Sequence, residues 1–232
     1  KGVTEKDLLD SVTLAFNGGW SGVKLYFMLG LPTENLDDVA GIADLGNKVV
    51  NAYMSVPKEK RGKGLNVTIS TSFFVPKPFT PFQWEAQDTM ESYREKQKYL
   101  KSCIKSRHIT YNWHDPELSF LEAIFARGDR RLGKLLETAW KKGCKFDSWG
   151  EHFRFQSWME AMEECGVDPY FYANRKREYD EVLPWDHIDI GVSKKFFIRE
   201  CEKAYRGEVT PNCRVSCSGC GAASFGGGIC VE

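Results

Sequence analysis

Three short runs of β-forming residues, Val23–Leu29, Leu65–Val75 and Ile109–Trp113, alternate with stretches of helical periodicity. No other feature constrains the fold as much. Each connection is long enough to hold a helix, so successive strands are expected to run parallel, joined by right-handed crossovers. Val23-Lys24-Leu25-Tyr26-Phe27-Met28-Leu29 is mostly apolar and reads as a strand buried on both faces, as in a parallel sheet. In the second run Val67, Ile69 and Phe73 share one face, and Pro76, Pro78 and Pro81 stop any ladder beyond it. The series opens on a helix, and three parallel strands cannot close a barrel, so two edges would be left unpaired. The chain is therefore expected to be the back half of a barrel or open sheet, with further strands upstream.

The helices carry their own signals. Thr4 and Asp7 have capping-box spacing, Leu8, Leu9, Val12 and Phe16 form a stripe, and Gly18-Gly19 ends it. After the first strand, Gly30-Leu31-Pro32-Thr33 reads as a turn, with Thr33 as N-cap and Glu34, Asp37 and Asp38 in the first helical turn. Asp88 and Glu91 mark the start of the next helix. Beyond residue 115 only helices are expected. Their stripes are Leu118-Leu121-Ile124-Phe125, Leu132-Leu135-Leu136-Ala139-Trp140 and Phe155-Trp158-Met159-Met162, ending at Gly128, Gly143 and Gly166. A loop from Tyr170 to Asp180 follows, and Ser193 caps a last helix that ends at Gly207. This divides the chain into an α/β part over 1–114, a helical extension over 115–207 and a Cys-rich tail over 208–232.

Lys and Arg total 32 and Asp and Glu total 32, so bulk electrostatics do not favour a nucleic-acid scaffold, although a local basic patch leaves that partner open. No apolar run approaches the roughly 18 residues of a membrane span, so no membrane partner is expected. The chain starts Lys1-Gly2-Val3, without Met and without a secretory signal pattern, and is expected to be a processed product or a piece of something longer.

Of eight cysteines, Cys103, Cys144, Cys165 and Cys201 stand alone, whereas Cys213, Cys217, Cys220 and Cys230 crowd the last twenty residues. Such a terminal cluster points to a metal or iron–sulfur site in a reducing, cytoplasmic compartment rather than to a disulfide framework. Cys213, Cys217 and Cys220 can wrap one centre, Cys230 can supply a fourth ligand, and His187 is an outside donor with an ordinary structural reading beside it. Two strand-end loops also invite ligands, because strand C-termini in α/β folds present backbone donors and helix N-termini. These are Gly30-Leu31-Pro32-Thr33-Glu34 and the rigid Pro76-Lys77-Pro78 segment; each also reads simply as a tight connection. Glu122, Arg127, Asp129 and Arg130 form a charged block that suits a substrate pocket or a solvated helix end.

Several segments resemble a known family. YFMLGLPTENLDD (Tyr26–Asp38) and FFVPKPFTPFQWE (Phe73–Glu85) resemble the last barrel strands of radical S-adenosylmethionine enzymes, close to the GFPGET-like and SPRPGTP-like segments of methylthiotransferases. SFLEAIFARGDRR (Ser119–Arg131), FDSWGEHF (Phe146–Phe153), LPWDHIDIGVSKKFFIRE (Leu183–Glu200) and TPNCRVSCSGCG (Thr210–Gly221) resemble, more narrowly, the B12-binding-domain-containing radical SAM proteins. The resemblance implies a partial (β/α) TIM-like barrel, a 4Fe–4S cluster, S-adenosylmethionine and an upstream cobalamin-binding-type domain with the first barrel strands; use of cobalamin stays open. It also implies an enzyme that is complete only in the full-length protein, its substrate unread. Gly30, Pro32, Thr33 and Glu34 would then lie near the methionyl or ribose end of the nucleotide, and Pro76, Lys77 and Pro78 near the adenine end.

Cys213, Cys217 and Cys220 share the CxxxCxxC spacing of the family's catalytic cluster loop. In that family the loop follows the first barrel strand, whereas here twelve residues follow Cys220 and Gly219 replaces the usual aromatic. The tail is accordingly read as a separate site, an auxiliary cluster or zinc. The alternative from a different class is a zinc-stabilised module that binds protein or RNA without catalysis.

Overall fold

A computed structural model describes residues 3–226. Their contacts form two compact units, Lys1–Phe74 with Asp88–Ser119, and Val75–Gln87 with Phe120–Glu232.

The first unit runs α1 (Glu5–Asn17), β1 (Gly22–Leu29), α2 (Leu36–Ser55), β2 (Asn66–Phe73), α3 (Met90–Cys103) and β3 (Ile109–Trp113), and contains the start of α4 (Pro116–Ala126). The sheet has the order β1-β2-β3 and both pairs are parallel, with Leu25 beside Ile69 and Ile69 beside Tyr111. The α1 capping box forms as the spacing requires: Asp7 N–H donates to Thr4 Oγ1 at 3.2 Å and Thr4 N–H to Asp7 Oδ2 at 2.9 Å. Two starts differ from expectation. Asn35, not Thr33, caps α2, and its side chain accepts from Asp37 and Asp38 N–H while Asp38 accepts back from Asn35. Thr33 has φ 67°, a left-handed backbone that cannot serve as an extended cap. Thr89, not Asp88, caps α3 by accepting from Ser92 N–H.

All three helices pack on one face of the sheet. Val12 and Phe16 of α1, Val39 and Val49 of α2, and Tyr93 and Leu100 of α3 share one apolar cluster with Leu25, Leu29, Val67, Ile69 and Phe73. Consecutive strand order with right-handed crossovers puts every crossover helix on the same side. The other face carries Lys24, Tyr26 and Met28, then Thr68, Ser70 and Ser72, then Thr110 and Asn112. β1 is thus not buried on both faces: Tyr26 is 72% and Met28 50% exposed. Its even positions hold residues with apolar bodies, which imitate a buried strand in a composition reading.

The second unit contains the rest of α4, then α5 (Leu132–Lys141), α6 (Phe155–Glu164), α7 (Pro169–Ala173), α8 (Lys194–Tyr205) and a 3₁₀ turn (Ala222–Phe225). The short helix α7 lies where a loop was expected. Asp168 caps it through Tyr170 N–H at 2.9 Å and Pro169 occupies its first turn, where a missing N–H costs nothing. On α5 only Leu132, Leu135 and Ala139 are buried; Leu136 and Trp140 face outward. Trp84, Leu183, Trp185 and Phe197 form an apolar cluster here, so the segment 75–87 is threaded into this unit. No helix among the described residues is long and apolar enough to cross a membrane.

Candidate functional site

The loop after β1 is held by charge. Glu34 Oε1 accepts from Gly30 N–H at 2.9 Å and from Lys96 Nζ at 3.0 Å, and Lys96 Nζ also reaches Asp88 Oδ2 at 2.9 Å. Gly30 has φ 83°, and a Cβ there would sit 2.8 Å from the Phe73 ring, which itself stacks on Tyr93. Only glycine fits both demands. Burial works against the charge on Asp88, but Lys96, Ser92 and the Thr89 N–H outweigh it and hold the carboxyl below its usual range. For Lys96 burial likewise opposes the charge, and Asp88 with Glu34 raises the amine above its usual value. Glu34 therefore shapes the loop, and Thr33 is its exposed residue. Lys96 escaped sequence reasoning, and Asp88 was read only as the start of a helix, because both lie more than fifty residues from Glu34 in the chain.

In the second unit, Lys77 and Glu122, assigned to different roles from the sequence, form an ion pair with both side chains about half exposed. The Lys77 carbonyl is engaged by Thr80 Oγ1 at 2.8 Å. Arg127 is fully buried and donates to the carbonyls of Tyr172, Ala173 and Arg175 at 2.7, 2.6 and 2.7 Å. Burial, with Arg177 and Arg175 nearby, lowers its pKa to about 9. It clamps the end of α7 and the residues just after it rather than opening toward solvent. Asp129 binds the Arg131 guanidinium, Nη2 to Oδ2 at 2.6 Å, and accepts from Tyr172 OH at 3.2 Å. That guanidinium brings its carboxyl down to about 2, against the opposing effect of partial burial, so near neutral pH it is an acceptor and not a proton donor. Asp129, Arg130 and His187 line a cavity of about 580 Å³; Arg130 also lines a second of about 410 Å³ with Arg131, Lys134 and Cys165. Of the charged block, Asp129 and Arg130 share a cavity.

The tail is organised around hydrogen bonds to sulfur. Gly219 N–H donates to Cys217 Sγ at 3.4 Å, and Ala222 N–H donates to Cys220 Sγ at 3.4 Å. Cys213 and Cys217 are exposed and Cys220 is half-buried, all with free thiols. Among the described residues no three His, Cys, Asp or Glu side chains are gathered as a metal-holding group. Cys230 lies outside the described residues.

Over 167 residues the chain is 34% identical to an uncharacterised protein of Methanocaldococcus jannaschii, a match covering 72% of this chain and 35% of that protein. The chain thus spans about a third of the length of the curated relative it matches. No family model and no solved structure matches. The chain is a mixed α/β protein with a three-stranded parallel sheet, similar to one stretch of a longer archaeal protein.

Proposed function

We propose that the chain is the C-terminal segment of a radical S-adenosylmethionine enzyme, with β1–β3 forming part of a (β/α) barrel wall. The observation that carries this reading is the one-sided sheet. A doubly wound sheet has helices on both faces. A barrel wall has them outside only, and the opposite face lines the interior. Here the uncovered face is a ladder of Lys24, Tyr26, Met28, Thr68, Ser70, Ser72, Thr110 and Asn112, which suits a lining better than a solvent surface with a tyrosine 72% exposed. Among the described residues the outer edges of β1 and β3 pair with no strand, which leaves them available for the strands that the rest of a longer polypeptide would supply.

The strand-end loop fits a nucleotide-binding role in this setting. Its backbone is fixed by Glu34 and Lys96, and Thr33 projects a hydroxyl from a left-handed tip at the C-terminal end of β1. Gly30, Pro32, Thr33 and Glu34 would position the methionyl or ribose end of the nucleotide. Reductive cleavage of S-adenosylmethionine is the chemistry the bound cofactors supply. This chain's part is to bind, orient and exclude water. The catalytic cluster loop is assigned to the upstream part of the polypeptide, and the cysteine tail to a separate centre.

Anaerobically reconstituted full-length protein, given S-adenosylmethionine and dithionite, is expected to yield 5′-deoxyadenosine, and the 232-residue chain alone to yield none. Product from the chain alone would remove the assignment of the cluster loop. No product from cluster-loaded full-length protein would remove the radical reading.

A further inference from the structure

We propose that the second unit holds a binding site for an uncharged, ring-sized organic group that bears a carbonyl, with the Gln83 side-chain amide as its hydrogen-bond donor. The site is separate from the strand-end loop of the first unit and does not depend on the radical chemistry.

The site is a cavity of about 270 Å³ walled by Phe79, Trp185, Ile188, Ile190, Val192 and Phe197. Two distant stretches build it, the proline-rich segment around Phe79 and the residues leading into α8. Phe79 takes its place under strain. Its φ is 58°, a left-handed backbone that a bulky non-glycine residue rarely adopts, and its N–H is held by Gln83 Oε1 at 3.1 Å. Strain of this kind gathers at ligand sites, where surrounding contacts hold it in place.

Gln83 is only 3% exposed, and its chemistry fixes which way the amide points. Oε1 accepts from both Phe79 N–H and Trp185 Nε1–H, the second at 2.7 Å. Only the oxygen of an amide can take two donors, so the other end is the NH₂. That NH₂ has no hydrogen-bond partner among the described residues. A buried donor without an acceptor is costly, and the cavity that Gln83 lines is where an acceptor can meet it.

The other polar groups of the lining are engaged within the protein. Asp186 Oδ2 accepts from Leu183 N–H at 2.9 Å and from Lys194 Nζ at 3.2 Å, and Lys194 Nζ also donates to Glu181 O at 2.9 Å. Asp189 Oδ1 accepts from Gly191 N–H at 2.8 Å, and Ser193 Oγ accepts from Phe196 N–H at 3.2 Å. A water molecule beside the Gln83 NH₂ would meet that donor and apolar walls, fewer partners than buried waters usually keep. An apolar body with one acceptor suits both the walls and the donor. Charge narrows the choice further. Two carboxylates against one ammonium make the lining net negative, which disfavours a carboxylate or phosphate ligand. A ring carbonyl fits: its oxygen meets Gln83, and its ring lies among Phe79, Trp185 and Phe197.

The test uses the full-length protein and fluorine NMR of three probes: para-fluoroacetophenone, para-fluoroethylbenzene, which has the same shape without the acceptor, and para-fluorobenzoate, which adds a charge. The ketone is expected to bind about fivefold more tightly than the hydrocarbon, and the benzoate more weakly than either. Gln83→Glu keeps an oxygen for Trp185 and Phe79 and removes the NH₂. It should abolish the preference for the ketone while leaving the hydrocarbon's affinity within about twofold. A merely structural role for Gln83 would weaken both probes together. Equal binding of ketone and hydrocarbon by the wild type, binding of neither, or tighter binding of the benzoate would overturn the site, and none of these readings needs the variant to fold. A ketone preference that survives in Gln83→Glu would overturn the role of the amide. The probes need neither cluster nor S-adenosylmethionine, so the result leaves the radical reading untouched.

Discussion

In the first unit the interior is a set of aliphatic and aromatic side chains recurring with the period of a strand or a helix: Val12 and Phe16, Leu25 and Leu29, Val67, Ile69 and Phe73. In the second, Arg127, Arg177, Gln83 and Glu85 are all buried. Trp185 Nε1 donates to Gln83 Oε1 at 2.7 Å, Arg177 Nη2 donates to Arg127 O at 2.6 Å, and Lys176 pairs with Glu85 at 3.1 Å. The contrast teaches that one core is specified by repetition and the other by single polar contacts between residues far apart in the chain. Deleting apolar volume should hurt either unit, but deleting a hydrogen-bonding head should hurt the second far more.

The largest effect is expected where the most buried apolar volume is removed. Trp84 is fully buried, and Arg177 N–H donates to its carbonyl at 2.8 Å. Trp84→Ala should cost about 3–5 kcal/mol, read by denaturant titration. Amide exchange should rise across residues 120–205 and stay near wild type in β1–β3. Equal loss in both units would break the comparison.

Arg127→Met sharpens it by keeping volume and removing the head. Three carbonyls lose a charged donor, while a guanidinium whose pKa burial had lowered is no longer held out of water. Unmet carbonyls at about 1–3 kcal/mol each outweigh that relief, so a net loss of about 2–3 kcal/mol is expected. A variant as stable as wild type would show that the second unit, too, is held by apolar packing.

The smallest effect tests the charged staple of the first unit. The Asp88 carboxyl is depressed in the fold, so its contribution is complete above about pH 4, the unfolded value, and fades as pH falls through the lower folded one. The Lys96 amine is raised, so its contribution is complete below roughly pH 10 and fades as pH rises through the folded value. Once the intrinsic pH dependence of exchange is removed, protection of the Gly30 amide should be flat between those limits and fall outside them. Lys96→Met should lower protection by only a few-fold and abolish the alkaline limb. A limb that persists in the variant would assign it to another group.

What could be read beforehand follows the same division. The three strands, their parallel direction and the helices beginning at Glu5 and Lys194 were legible because capping residues and periodicity are local. The openness of one β1 face was not, since Tyr26 and Met28 look apolar in composition while lying on the uncovered side. Nor was the cap of α2. Thr33 and Asn35 are both good caps, and the left-handed backbone at Thr33 chose between them. Among site candidates, Gly30 and Glu34 do meet, through a hydrogen bond that closes their own loop. Arg127 could not be separated from Asp129 and Arg130 by sequence, because burial against the carbonyls of residues 172–175 is a tertiary fact. The tail cysteines were visible as a cluster, but the amide-to-sulfur bonds that organise two of them were not.

The central claim, that the uncovered sheet face is the inside of a barrel completed by the rest of a longer polypeptide, is tested most directly by methionine oxidation. Met28 lies on that face and is 50% exposed; Met54, on α2, is 46% exposed and serves as an internal reference. Treated with dilute peroxide and followed by mass spectrometry, the isolated chain should oxidise both at similar rates. In the full-length protein Met28 should slow at least about fivefold as the strand face is enclosed, while Met54 keeps its rate. Equal oxidation of Met28 in the chain and in the full-length protein would contradict the barrel.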